Sequence, residues 1–193
     1  MKTRNLLFLV TAGFAAFFAV CGYGQDADVR AAVKAGQKAL PFHLTPINGP
    51  KVNFPDDYRG KIVLLDFWAT WCGPCRRELP NVVAAYQKYH TNGFDIVSVS
   101  LDEPMQGPEL LQFMRENDMT WPQIYDGYYW QSAVAVEYGV RAIPCPVLVD
   151  GDTGKILAVG VDALGDRLDE IVESWTAAKS QKTTSQPLTL DPR

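Results

Sequence analysis

The sequence predicts a single α/β domain, a mixed β-sheet flanked by helices, and three observations carry that expectation. Strand-length apolar runs at residues 61–68 and 94–101 alternate with amphipathic segments of helical spacing. Two short runs, residues 147–149 and 156–159, flank Asp150-Gly151-Asp152-Thr153-Gly154 and read as a closing hairpin. At 193 residues and 47% hydrophobic content the chain can bury one good-sized core, and no repeat or linker divides it.

The elements follow in chain order. Residues 28–38 suggest one or two helical turns. Residues 42–54 alternate apolar positions on either side of Asn48-Gly49, the signal of a small added hairpin near the N-terminus. The run 61–68 is continuously apolar except for Asp66, as in a strand buried on both faces. Leu79, Val82, Val83 and Tyr86 mark a helix over 76–89, with Pro80 as a kink. Pro108 and Glu109 open a second helix, with Leu110, Phe113 and Met114 on one side. Residues 121–130 form an aromatic loop, 133–138 a short helix and 167–177 a last amphipathic helix. The polar stretch 178–193 reads as a disordered tail.

The N-terminus carries an address. Lys2 and Arg4 precede an apolar run over residues 6–20, shorter than the roughly 20 residues of a spanning helix. Residues 1–24 therefore read as a secretory signal, with cleavage after Gly24. The alternatives are lipidation at Cys21, for which Val20 is large, and an uncleaved anchor. Each places the domain outside the cytoplasm, and only the last two give it membrane contact. Residues 25–37 are a lead-in, and 38–177 the folded domain. A net charge of −4 with no basic block argues against nucleic acid as a partner.

Chemistry concentrates at Trp71-Cys72-Gly73-Pro74-Cys75, between the strand and the helix. A thiol at a helix start faces unsatisfied N–H groups and the positive end of the macrodipole, which favour the thiolate. With a second thiol beside it, thiol–disulfide exchange is open: Cys72 attacks a substrate sulfur and Cys75 resolves the mixed disulfide. Cys75, one turn on, is expected to be the less exposed of the two. Zinc needs four ligands, and outside this pair only His43, His90 and Cys145 are available, none at ligand spacing. No metal or separate cofactor is therefore expected. Without Cys21 the count of cysteines is odd, which argues for a working pair plus one extra thiol. Asp66, mid-strand, should have a raised pKa and can serve as proton acceptor for Cys75. Trp71 is expected to line a docking surface, and the other aromatics of 121–130 to be core or rim.

The segment from Phe67 to Cys75 resembles the active-site segment of thioredoxins nearly residue for residue. Gly60-Lys61, Arg76-Arg77-Glu78-Leu79-Pro80, Val99-Ser100-Leu101-Asp102 and Tyr138-Gly139-Val140-Arg141-Ala142-Ile143-Pro144 narrow the resemblance to the TlpA/ResA group of exported thiol–disulfide oxidoreductases. That resemblance implies a thioredoxin-like fold and protein disulfides as substrates. It also implies a membrane thiol relay upstream, with cytochrome c maturation among the family's tasks. It makes Asp66 the counterpart of thioredoxin's buried Asp and Glu78 a residue that tunes the thiols. Ile143-Pro144 becomes a cis-proline loop that faces the disulfide and pairs with substrate chain, while Gly73 and Pro74 favour reduction over oxidation. The chain departs from the family at Cys145 and Pro146, where Thr is usual. Cys145 is then either a third thiol near the pair or a small buried side chain, and Pro146 disturbs the start of its strand. Two rival readings are a peroxiredoxin-like thiol peroxidase and a non-enzymatic metal-handling module.

Overall fold

The computed structural model describes residues 31–184. The expected signal, Cys21 with it, and residues 185–193 of the expected tail lie outside the described residues. β1 (Phe42–Leu44) and β2 (Val52–Phe54) pair antiparallel as a separate two-stranded sheet, the expected added hairpin. Asn48-Gly49 does not make a tight turn between them. Residues 45–51 form a longer connection, and the Asn48 side chain joins the main domain by donating to Trp121 O (2.9 Å) and accepting from Gln123 N–H (2.9 Å).

β3 (Ile62–Trp68) is the middle strand of the main sheet, and its residues Ile62, Val63, Leu64, Leu65 and Phe67 are fully buried. An apolar run of this kind needs cover on both faces, which only a central strand receives. α1 (Gly73–Tyr89) crosses over to β4 (Phe94–Ser100), parallel to β3 from Ile62↔Phe94 to Trp68↔Ser100. α2 (Gly107–Glu116) follows, then β5 (Gln123–Ile124), α3 (Ala133–Glu137), β6 (Cys145–Asp150), β7 (Lys155–Val159) and α4 (Gly165–Thr184). The sheet order is β5-β4-β3-β6-β7, with β6 antiparallel to both neighbours. Tyr89 of α1 donates to Glu173 of α4 (2.9 Å), while Phe67 packs on Tyr138 beyond α3 with ring centroids 5.4 Å apart.

Several expectations need correction. Residues 31–37 form turns about Gly36 and no helix; the segment is held by a bridge of Lys38 to Lys155. The aromatic loop contains the short strand β5, whose pairing with Ser98 and Val99 no local pattern announces. α1 starts at Gly73, so the segment between the two cysteines is itself helical, and the helix runs on through Pro80. α4 starts at Gly165 and reaches Thr184, so residues 178–184 are helix and not tail. Lys179 anchors that extension, with Nζ 3.1 Å from Asp152 and 4.6 Å from the centre of the Trp175 ring. Pro146 does not break β6. It pairs with Asp66 one position beyond Val147↔Val159, the last pair with β7, where its missing N–H takes nothing from the β7 ladder. Gly151 in the closing turn is required by close approach, since a Cβ there would lie 2.0 Å from Tyr58 O.

Candidate active site

Cys72 is the N-cap of α1, in extended backbone, and its Sγ accepts from Cys75 N–H at 3.1 Å. Pro74 stands in the first turn, where the absent N–H would have no helical partner in any case. Cys72 and Cys75 are joined in a disulfide. The expectation that Cys75 is the less exposed does not hold in this oxidised state, where the two are 4% and 5% exposed. Gly73 and Pro74 between them lie at the surface. The helix start holds Cys72 where a donated N–H and the macrodipole stabilise a sulfur anion.

Beneath the disulfide is a narrow crevice lined by Asp66, Trp68, Cys75, Glu78, Leu79, Val82, Pro144 and Leu164. Four of the sequence-predicted site residues, Asp66, Cys75, Glu78 and Pro144, thus meet in one place. The Ile143-Pro144 bond is cis, as the resemblance implies. The Asp66 carboxyl is pushed from the ordinary 3.8 up to about 7, chiefly by burial and further by the Glu78 carboxylate across the crevice. Glu78 accepts from Asn81 Nδ2 (3.3 Å), and among the described residues it forms an ion pair with neither Arg76 nor Arg77. Both arginines are exposed, and Arg76 lies over the Phe113 ring at 5.6 Å. The crevice can therefore hold a proton near neutral pH within reach of the inner sulfur.

The outer face is set by Trp71, 42% exposed, whose Nε1 donates to Leu101 O (3.2 Å). Its ring packs on Tyr129 (5.3 Å) and Trp130 (6.1 Å). Trp68 and Trp121 are core, and Trp68 Nε1 donates to Gln123 Oε1 (3.0 Å). Asp102 is a site-building residue to which the sequence reading gave no role. Fully buried just past β4, it accepts from Thr70 N–H (3.1 Å), Thr70 Oγ1 (2.5 Å) and Ser100 Oγ (2.7 Å). It pins the turn that leads into Cys72. The signal was present as two polar residues, Ser100 and Asp102, closing an apolar strand.

Cys145 is fully buried and opposite Phe67 in the β3–β6 register. Because side chains alternate along a strand, Cys145 and Phe67 share the sheet face away from Asp66 and its crevice. The reading of Cys145 as a small buried side chain fits this placement; a third thiol at the disulfide does not. His43 Nδ1 lies 3.1 Å from Asn53 Oδ1 and His90 Nδ1 3.9 Å from Asp95, and neither lines the crevice at Cys75. Among the described residues, no group of three or more His, Cys, Asp and Glu is arranged to hold a metal ion.

Comparison with known proteins agrees with this geometry. The family model described as AhpC/TSA family matches residues 35–159. The chain is 34% identical to thiol-disulfide oxidoreductase ResA of Geobacillus thermodenitrificans over 81% of its own length and 87% of that protein's. It is 29% identical to ResA of Bacillus cereus, covering 91% of this chain and 99% of that one. Among solved structures, the thioredoxin domain of a thiol-disulfide oxidoreductase from Bacteroides vulgatus superposes with a TM-score of 0.63 at 29% identity, over 75% of this chain and 99% of that domain. With its CGPC disulfide at the start of α1, the chain belongs to the AhpC/TSA family and is a thiol–disulfide oxidoreductase of the ResA/TlpA type within the thioredoxin superfamily.

Proposed function

We propose that the protein is an exported reductase of protein disulfides, and the observation that carries the reading is the placement of the Cys72–Cys75 disulfide between the α1 N-terminus and the Asp66 crevice. In the reduced enzyme, the Cys72 thiolate attacks one sulfur of a substrate disulfide. That S–S bond breaks, the distal substrate sulfur leaves as a thiolate and takes a proton, and a Cys72–substrate disulfide forms. Asp66 accepts the proton of Cys75, directly or through a water. The Cys75 thiolate then attacks Cys72 Sγ, re-forming the internal disulfide and releasing the second substrate thiol. A dithiol donor must reduce the enzyme again; by family analogy this is a membrane thiol relay. Trp71, Gly73, Pro74, Ile143 and Pro144 form the substrate-contacting surface. Glu78 acts by raising the proton affinity of Asp66.

Export rests on Lys2, Arg4 and the apolar run of residues 6–20. The domain then works in the periplasm or cell envelope, free after cleavage, or tethered through Cys21 or an uncleaved N-terminus. No helix among the described residues is long and apolar enough to cross a membrane. Candidate substrates are apocytochrome c during maturation, other exported disulfides and a metallochaperone dithiol. Trapping separates them. A Cys75→Ser variant is expected to stall substrates as mixed disulfides on Cys72 for identification by mass spectrometry. Recovery of no adduct, together with loss of activity in Cys145→Ser alone, would overturn the assignment.

A thiol peroxidase is the other reading the family description brings forward. Two features weigh against it. The Thr70 hydroxyl is committed to Asp102 and not to Cys72, and the attacking sulfur has its partner one helical turn away. Reduction of one equivalent of peroxide by the pre-reduced Cys72/Cys75 dithiol, at a rate above its reduction of a protein disulfide, would reverse the choice.

A further inference from the structure

The rim beside Cys72 is more apolar than a thiol-exchange reaction by itself requires. Met105 is 91% exposed and Tyr128 67%, and the segments that carry them both touch Trp71, whose Nε1 donates to Leu101 O and whose ring packs on Tyr129 and Trp130. The two loops are locked together. Tyr125 Oη donates to Glu103 O (2.7 Å) and accepts from Gln106 N–H (3.1 Å), tying the 125–130 segment to the 103–106 segment. Gly127, at φ +71, allows this closeness, since a Cβ there would lie 3.4 Å from Pro104 Cα. Tyr129 holds a left-handed backbone, φ +55, that costs energy in a bulky residue, and from that conformation its ring meets both Trp71 and Trp130. The result is a pre-organised apolar ledge, continuous through Trp71 with the cysteine that any substrate disulfide must reach.

We infer that Met105, Tyr128, Tyr129 and Trp130, with Trp71, form a specificity ledge that selects extended protein segments bearing a large apolar side chain next to the reacting cysteine. This rests on the reading of the protein as a protein-disulfide reductase. Apolar side chains gain from leaving water only when a fitting surface receives them, and a rigid aromatic surface receives them at small entropic cost. A folded protein keeps such side chains inside, and a small thiol such as glutathione has none. An unfolded or not yet folded segment presents them. The ledge therefore favours disulfides of unfolded chains over those of folded proteins and of small polar thiols.

The test uses two disulfide-linked peptides of equal length, one with Phe and one with Ser flanking each cysteine, and enzyme reduced beforehand with a dithiol. The ratio of second-order rate constants in that single turnover, Phe peptide over Ser peptide, is expected to be about tenfold, the size of a good aromatic contact. Met105→Ser with Tyr128→Ser, at two exposed positions where folding is not at stake, and separately Tyr129→Ser, should bring the ratio towards one. A purely structural role would slow both peptides alike and leave the ratio where it was, which overturns the inference. A wild-type ratio near one overturns it as well, while leaving the reductase reading intact. Reduction of neither peptide defeats the reductase reading and the ledge together.

Discussion

Two acids bracket the redox segment, Asp66 within β3 and Asp102 just past β4, and the fold treats them differently. Asp102, behind the turn that enters Cys72, is enclosed and receives hydrogen bonds from Thr70 N–H, Thr70 Oγ1 and Ser100 Oγ. Asp66, in the crevice under Cys75, has burial and the Glu78 carboxylate acting on it and no donor offsetting them among the described residues. A carboxylate whose lone pairs are all engaged is a building part, while one held short of donors is ready to take a proton. The same side chain is thus a scaffold in the turn and a proton-transfer group in the crevice.

Substitutions at the two acids can break that comparison. The largest expected effect is on stability. Asp102→Ala removes a buried acceptor and orphans the Thr70 N–H, and should cost on the order of 3 kcal/mol in denaturant unfolding. An unchanged midpoint would mean that the turn holds without it. Asp66→Asn should behave in the opposite way, slowing resolution of the mixed disulfide roughly 100-fold at pH 7 in stopped-flow measurements while stabilising the oxidised fold above neutrality.

The sign follows from the raised pKa. Between about pH 4 and pH 7 the native protein retains the Asp66 proton that the unfolded chain has released. Wild-type stability therefore falls as pH rises through that window and levels off above it, a loss of up to about 4 kcal/mol. The Asn variant should lack this component, and a pH dependence identical to wild type would contradict the crevice assignment. Glu78→Gln has the smallest expected effect. It removes only the secondary cause, so the midpoint of the Asp66 titration should move down by less than about one pH unit in the pH–rate profile. A fall of the midpoint all the way to the ordinary carboxylate value would make Glu78, and not burial, the dominant cause.

The legible parts of this protein are those whose causes are neighbours in the chain. The apolar run with one acid at Asp66 could only be a central strand. The cysteines at the following helix start gave the chemistry, because a helix N-terminus acts on the residue that caps it. The cis bond at Pro144 was implied only through the resemblance, since a proline before a strand is by itself just a breaker. The role of Asp102 is not legible locally, because Thr70, which donates to it through both N–H and Oγ1, lies in the turn after β3 and meets it only when β3 and β4 pair. The extension of the last helix past residue 177 is not legible in its polar composition, because Asp152, which holds Lys179, is distant in sequence.

By itself, then, the sequence determined a thioredoxin-like sheet, the CGPC dithiol and an acid beneath it. Tertiary structure alone decided which side chains share its surroundings. Cys145 stands next to Pro144 in the chain, yet the β3–β6 register turns it to the far face of the sheet with Phe67. Tyr129 and Trp130 are far from Trp71 in the chain, yet the left-handed turn at Tyr129 brings them against it. The reason is geometric: strand alternation and loop closure act between residues distant in sequence, and a one-residue change of register would exchange the two faces.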